Sequence, residues 1–174
     1  LAQPRPGQIA TPAAVLMYSR WRLSHAQGYL SLGLVDEAEA ELAALSPAEQ
    51  DQPLALSLRA TVFQAQERWI EMQSVTADLV RAEPSEAGWW IMWAYATRRA
   101  ESVGEAEAIL RDGERRHPRD ATIQFNLGCY ASVRGDLVLA QRYVERAIAL
   151  DRAFAALAES DEDLTALRAT GFSP

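Results

Sequence analysis

Small and apolar residues return along this chain at a fixed interval of 34 positions. Ala26, Ala60, Ala94 and Gly128 form one set; Ala38, Met72, Ala106 and Ala140 form another. Both sets are dominated by residues small enough to let two helices approach closely. A constant period of this length is the mark of stacked helix–turn–helix units. No run of β-branched residues alternates with polar ones, so the chain is predicted to be all-α.

The punctuation between apolar stretches supplies the helix ends. Residues 1–10, with Pro4, Pro6 and Gly7, read as a flexible lead-in. Thr11-Pro12 places a hydroxyl cap before a first-turn proline and opens one long helix that Gly33 ends. Leu34–Leu45 is the next helix, with Asp36, Glu37, Glu39 and Glu41 on its solvent side. Ser46-Pro47-Ala48-Glu49 caps a short extra turn, and Pro53 opens a helix to Gln66. Trp69–Ala82 is closed by Pro84; Ser85 caps the following helix, which runs to Ala100. Val103–Arg116 is closed by Pro118, Asp120 caps a helix to Val133, Gly135 turns the chain, and Leu137–Leu150 follows. Ser160-Asp-Glu-Asp163 then caps a last short helix whose Leu164 and Leu167 share a face.

Composition narrows the partners. The 174 residues are 49% hydrophobic and 24% charged, which fits a folded globular chain. A net charge of −7 argues against nucleic acid or an anionic membrane as the main partner. No apolar run reaches the ~20 residues of a membrane span. All 17 basic residues are arginine, which a coding bias explains, although guanidinium forks also suit carboxylate recognition. One cysteine, Cys129, leaves no internal disulfide and no cysteine-based zinc site. That is compatible with a reducing compartment and favours the cytoplasm over export. The chain begins at Leu1 rather than methionine, so a targeting signal would already be gone.

Counted from Ser19, Pro53, Ala87 and Ala121, the fourth repeat resembles a tetratricopeptide repeat (TPR). Leu127-Gly128, Gly135-Asp136-Leu137, Ala140, Val144, Ala147 and Leu150-Asp151 fall where that family places its signature. The third repeat offers Trp90, Ala94, Ala106, Leu110 and Pro118; the second offers Leu56, Ala60, Phe63, Trp69, Leu79 and Pro84. The first is degenerate, with Arg22 and His25 at usually apolar positions, yet keeps Ala26, Tyr29, Gly33, Ala38 and Leu42. The expected division is four repeats over 19–52, 53–86, 87–120 and 121–154, preceded by the long helix from residue 11. Residues 155–174 resemble the Asp-rich closing segment of bacterial TPR arrays, with Leu157, Leu164, Leu167 and Phe172 as cover for the last repeat. Val15, Leu16 and Tyr18 are expected to shield the other end.

The resemblance implies a right-handed superhelix of antiparallel helix pairs whose first helices line a concave groove. Carried onto this chain, the groove residues include Gln27, Ser57 and Thr61, then Ile91, Tyr95, Arg98 and Arg99, then Phe125, Asn126 and Cys129. Such a lining suits a peptide held by apolar side chains, with Arg98 or Arg99 pairing an acidic group. Chaperone-adaptor members of the family clamp a C-terminal carboxylate with Lys, Asn and Arg. Here Leu23, Gln27 and Ser57 or Leu58 stand at the matching places, and Asn126 is the single asparagine. Chaperone-tail binding is therefore not expected.

Other conspicuous residues read first as structure. Trp69, Trp90 and Trp93 fall at core positions, Trp21 and Trp89 at inter-repeat ones, and Tyr95 stays open between packing and ligand contact. Cys129 reads as a small apolar filler. Arg111, Arg115, Arg116 and Arg119 complement the negative end of a helix and stay solvated. His25 and His117 are far apart without metal-ligand spacing, and no nucleophile motif or phosphate loop occurs. The expectation is a non-enzymatic module without cofactor or metal, binding a protein or peptide partner in its groove as monomer or homodimer. The alternatives are a self-associating scaffold joined through apolar ends and a secretion-type chaperone.

Overall fold

The computed structural model describes the backbone of residues 12–174 and the side chains from Met17 onward. The expected lead-in over residues 1–10, the Thr11 cap, and the shielding by Val15 and Leu16 lie outside the described residues. Among the described residues every regular element is helical. In order they are α1 (Pro12–Ser31), α2 (Val35–Ala43), α3 (Pro47–Gln50), α4 (Pro53–Ala65), α5 (Trp69–Ala82), α6 (Ala87–Ala100) and α7 (Val103–Arg116). Then come α8 (Ala121–Val133), α9 (Leu137–Leu150), α10 (Ala153–Ser160), a 3-10 turn (Glu162–Leu164) and α11 (Thr165–Arg168). Two compact units divide the chain, Leu1–Val75 and Thr76–Pro174.

In the first unit α1 packs on α2, and α4 contacts both. Ala26, Ala38 and Ala60, members of the 34-residue sets, are fully buried with Ala55 and Met72. Their missing side-chain bulk is what brings the helix axes together. The α1–α2 turn closes on Gly33 at φ +74, with Leu34 N–H donating to Tyr29 C=O at 2.9 Å and Gly33 N–H to Leu30 C=O at 3.0 Å. This double bond pattern needs a left-handed residue. One repeat later the same turn recurs with Glu67 at φ +55 and Arg68 N–H on Phe63 C=O at 2.8 Å. A side chain in that conformation costs roughly 1–2 kcal/mol. Glu67→Gly is therefore expected to raise stability by about 1 kcal/mol. A thermal melt with an unchanged or lower Tm would contradict this.

Polar pairs replace part of the apolar packing in this unit. Arg22 donates to Glu41 at 2.6 Å across α1 and α2, which explains how the degenerate first repeat tolerates a charge at an apolar position. Glu39 accepts from Arg68 at 2.7 Å and from Gln66 at 2.9 Å, so the acidic run on α2 is not merely solvated as expected. Ser46 and Glu49 form the expected capping box, and Ser19 of α1 also donates to Glu49. The Gln66 bond and Arg68 hold the Glu39 carboxyl below its usual 4.5; the Ser19 and Ser46 bonds do the same for Glu49. A depressed folded-state pKa gives stability that is present above the ordinary value and lost as pH falls through the folded one. Acid unfolding between pH 7 and 3 should thus show a loss beginning near 4.5 that Glu39→Gln makes shallower.

In the second unit α6 pairs with α7, α8 pairs with α9, and α7 bridges to α8. Asp120 caps α8 as expected, accepting from Ile123 N–H at 2.9 Å, and Asp136 caps α9, accepting from Leu139 N–H at 3.1 Å. Ser102 caps α7 through Glu105 N–H. At α6 the expected Ser85 cap is displaced by one residue; Glu86 occupies the N-cap without a side-chain bond. Trp90 is buried and donates to Pro84 C=O at 3.1 Å, a carbonyl that His117 Nε2 also meets at 3.1 Å. Trp93 is only half-buried. Arg111 is not left to solvent: it pairs with buried Glu107 at 2.7 Å, which also holds Arg134 at 2.7 Å.

The tail differs most from expectation. It is three short elements, not one helix, and Asp161 rather than Ser160 caps the 3-10 turn by accepting from Asp163 N–H at 2.9 Å. Leu164 and Leu167 are buried as cover, and Phe172 and Phe154 pack partly against the same cluster. Leu157 instead stands 49% exposed.

Candidate functional site

In the first unit the predicted groove residues lie on neighbouring helices, Gln27 on α1 and Ser57 and Thr61 on α4. Ser57 Oγ donates to Leu54 C=O at 2.9 Å and Thr61 Oγ1 to Ser57 C=O at 3.1 Å. These hydroxyl protons are spent on the helix itself, which leaves the oxygens as acceptors. Gln27 is exposed.

The second unit brings its seven predicted residues onto two helices in contact, Ile91, Tyr95, Arg98 and Arg99 on α6 and Phe125, Asn126 and Cys129 on α8. They separate into two groups. Ile91, Tyr95 and Asn126 are half-buried and Arg99 is exposed, with its guanidinium carbon 3.5 Å from the Tyr95 ring centroid. That distance is a cation–π contact.

The other group is covered by the chain's own tail. Arg98 forks onto Asp163, with Nη2–Oδ1 at 2.8 Å and Nη1 on Oδ2, while its guanidinium sits 5.3 Å from the Tyr130 ring. Phe125 is buried with its ring 4.9 Å from that of Phe154. Cys129 is 2% exposed, and the 3-10 turn packs over α8. Burial, assisted by the Asp161 and Asp163 carboxylates, pushes the Cys129 thiol far above its ordinary range. Its burial is that of a small packed filler. Burial also pushes the Tyr130 hydroxyl up to about 12. The hydrogen bonds from Arg98 to Asp163 raise the affinity of the guanidinium for its proton.

Sequence reasoning places Arg98 at the groove but misses Asp163, Tyr130 and Phe154. The available signal is the Asp-rich stretch, which by itself reads only as a helix cap. Cys129 Sγ and the carboxylates of Asp161 and Asp163 lie within 4.8 Å of one another, a spacing that could serve a metal. The two carboxylates already have partners, Asp163 in Arg98 and Asp161 in the backbone of its own turn. Among the described residues no helix is long and apolar enough to cross a membrane.

No family model and no curated protein matches this sequence. Solved structures do match the fold. The TPR protein TTC0263 of Thermus thermophilus aligns over 87% of each chain with a TM-score of 0.64 and 20% identity. PilW, a type IV pilus biogenesis factor, covers 93% of this chain and 73% of its own, with a TM-score of 0.71 and 18% identity. YrrB, described as a TPR protein with an unusual peptide-binding site, covers 87% of this chain and 91% of its own, with a TM-score of 0.63 and 15% identity. The fold is that of a tetratricopeptide-repeat array. Within it, α6 and α8 are the first helices of the α6–α7 and α8–α9 pairs, and at Gly128 a β-carbon would meet Val144 and Ala140 of α9.

Proposed function

We propose that this protein is a non-catalytic protein-binding module that holds a peptide segment of a partner on the first helices of its repeats. The observation that carries the reading is the accessible face of α6 and α8, where Ile91, Tyr95, Arg99 and Asn126 offer an apolar side chain, an aromatic ring, a cation and an amide together. Helices held by a packed core present such a surface preformed, which lowers the ordering cost of binding. YrrB, described as having an unusual peptide-binding site, shares this fold, and that supports the reading. Gln27, Ser57 and Thr61 are proposed to supply hydrogen bonds to the same class of ligand. Partner capture from a lysate, quantified for the wild-type chain against Tyr95→Ala/Arg99→Ala, tests this. Proteins recovered by the wild type should drop about tenfold, as expected when aromatic and arginine anchors are lost. Equal recovery would remove the face from consideration.

A second reading, self-association, is favoured by one feature of α1. Tyr18, Trp21, His25 and Tyr29 form a ring ladder along one stripe, with centroid spacings of 5.9, 3.8 and 6.2 Å. Trp21 is 41% exposed and Met17 62%. Light scattering that finds a monomer at micromolar concentration would rule this reading out.

A further inference from the structure

We propose that the α6–α8 face around Arg98 is a receptor for an acidic, leucine-bearing turn of a partner protein, and that the chain's own Asp161–Leu164 turn is the resident copy of that ligand. This rests on the protein-binding reading above and adds both the chemistry of the partner and the way the site is regulated.

The contacts of the resident turn specify what the face accepts. A planar carboxylate meets Arg98 through two parallel hydrogen bonds, a geometry that ammonium groups or neutral amides do not reproduce. The next residue, Leu164, is fully buried. An aromatic ring, Phe154, lies against Phe125 on the approach to the turn. Acid, leucine and aromatic together form a recognition set, and three of the residues that meet it, Arg98, Phe125 and Cys129, are positions that the family resemblance assigns to a groove.

Exchange is selective for a reason rooted in solvation. Arg98 and Asp163 keep only 29% and 24% of their side-chain surface exposed. Leaving Arg98 in that environment without a counter-charge is costly, whereas replacing one carboxylate by another conserves the pair. A segment lacking a carboxylate at that place therefore cannot displace the turn, and one that carries it can. Because the resident turn is tethered, it competes at a high effective concentration, and a partner must exceed that competition. The tail thus sets a threshold for binding as well as a specificity.

The test uses a fluorescein-labelled peptide of residues 153–172 as the probe and the full chain carrying Asp163→Asn and Leu164→Ala to weaken its own turn. The weakened chain should bind the probe at least tenfold tighter than the wild type. Adding Arg98→Ala should abolish the gain, and a probe with the Asp163→Asn change should lose it likewise. No gain in a chain that keeps its helical circular dichroism, or a gain that survives Arg98→Ala, overturns the proposal. Should the weakened chain lose its helicity, native-state hydrogen exchange of the wild type decides. Tail amides that open while α8 and α9 stay protected support an exchangeable turn; tail amides that open only with α8 and α9 refute it. A wild-type dimer in light scattering that Arg98→Ala dissociates would make a second copy the occupant and refute a separate partner. If the probe fails while Tyr95→Ala/Arg99→Ala still loses captured proteins, the general binding reading stands and this one falls.

Discussion

Gly128→Ala should destabilise the chain, while Gly28→Ala should stabilise it. A β-carbon at Gly128 would lie 2.7 Å from Val144 Cγ2, 3.2 Å from Val144 N and 3.3 Å from Ala140 O. Two of those three atoms are backbone of α9, so a rotamer change of Val144 relieves only part of the crowding. Overpacking of this kind costs typically about 1–3 kcal/mol, more than the helix-propensity gain of about 1 kcal/mol that alanine brings. At Gly28, within α1, nothing lies within 4 Å of the added carbon. There the propensity term acts alone and contributes about 0.5–1 kcal/mol of stability. Urea unfolding of the two variants beside the wild type measures both signs. Adding Val144→Ala to Gly128→Ala should recover only part of the loss, because the backbone contacts remain. A neutral Gly128→Ala would mean that α8 and α9 do not approach as closely as described.

Leu164→Ala is expected to be the more damaging of two leucine truncations in the tail. Leu164 is fully buried at the end of the 3-10 turn, within the cluster that includes Leu127, Tyr130 and Leu167. Removing a buried leucine side chain costs about 2–5 kcal/mol, from lost transfer energy and the cavity left behind. Leu157, 49% exposed on α10, should lose under about 0.5 kcal/mol when truncated. The quantity to compare is the opening free energy of residues 154–172 from native-state hydrogen exchange. Equal effects for the two leucines would show that the tail does not seat on α8 through Leu164.

These pairs show where reading a sequence stops. Gly128 stands out by its phase with Ala26, Ala60 and Ala94, because a steric requirement that recurs in each repeat leaves a periodic trace. Helix ends at Val103, Arg116, Ala121, Val133, Leu137 and Leu150 are likewise legible, since caps and breakers act over three or four residues. Glu67 is not: it stands where Gly33 and Gly135 mark the equivalent turns, and only the backbone shows it at φ +55. Leu157 and Leu164 look alike in the sequence because both are leucines in the same closing segment.

The groove residues divide the same way. For Tyr95 and Arg99, proposed here as groove residues, the ring contact follows from four-residue helical spacing, a local relation. The Arg98–Asp163 pair spans 65 residues and needs the tail to fold back over α8. The helices, their period and their small-residue contacts are thus written in the order of residues, because each is set by spacing along the chain. That Arg98, Phe125 and Cys129 are met by the tail emerges only in the folded molecule, because charge pairing and burial depend on which distant segments share space.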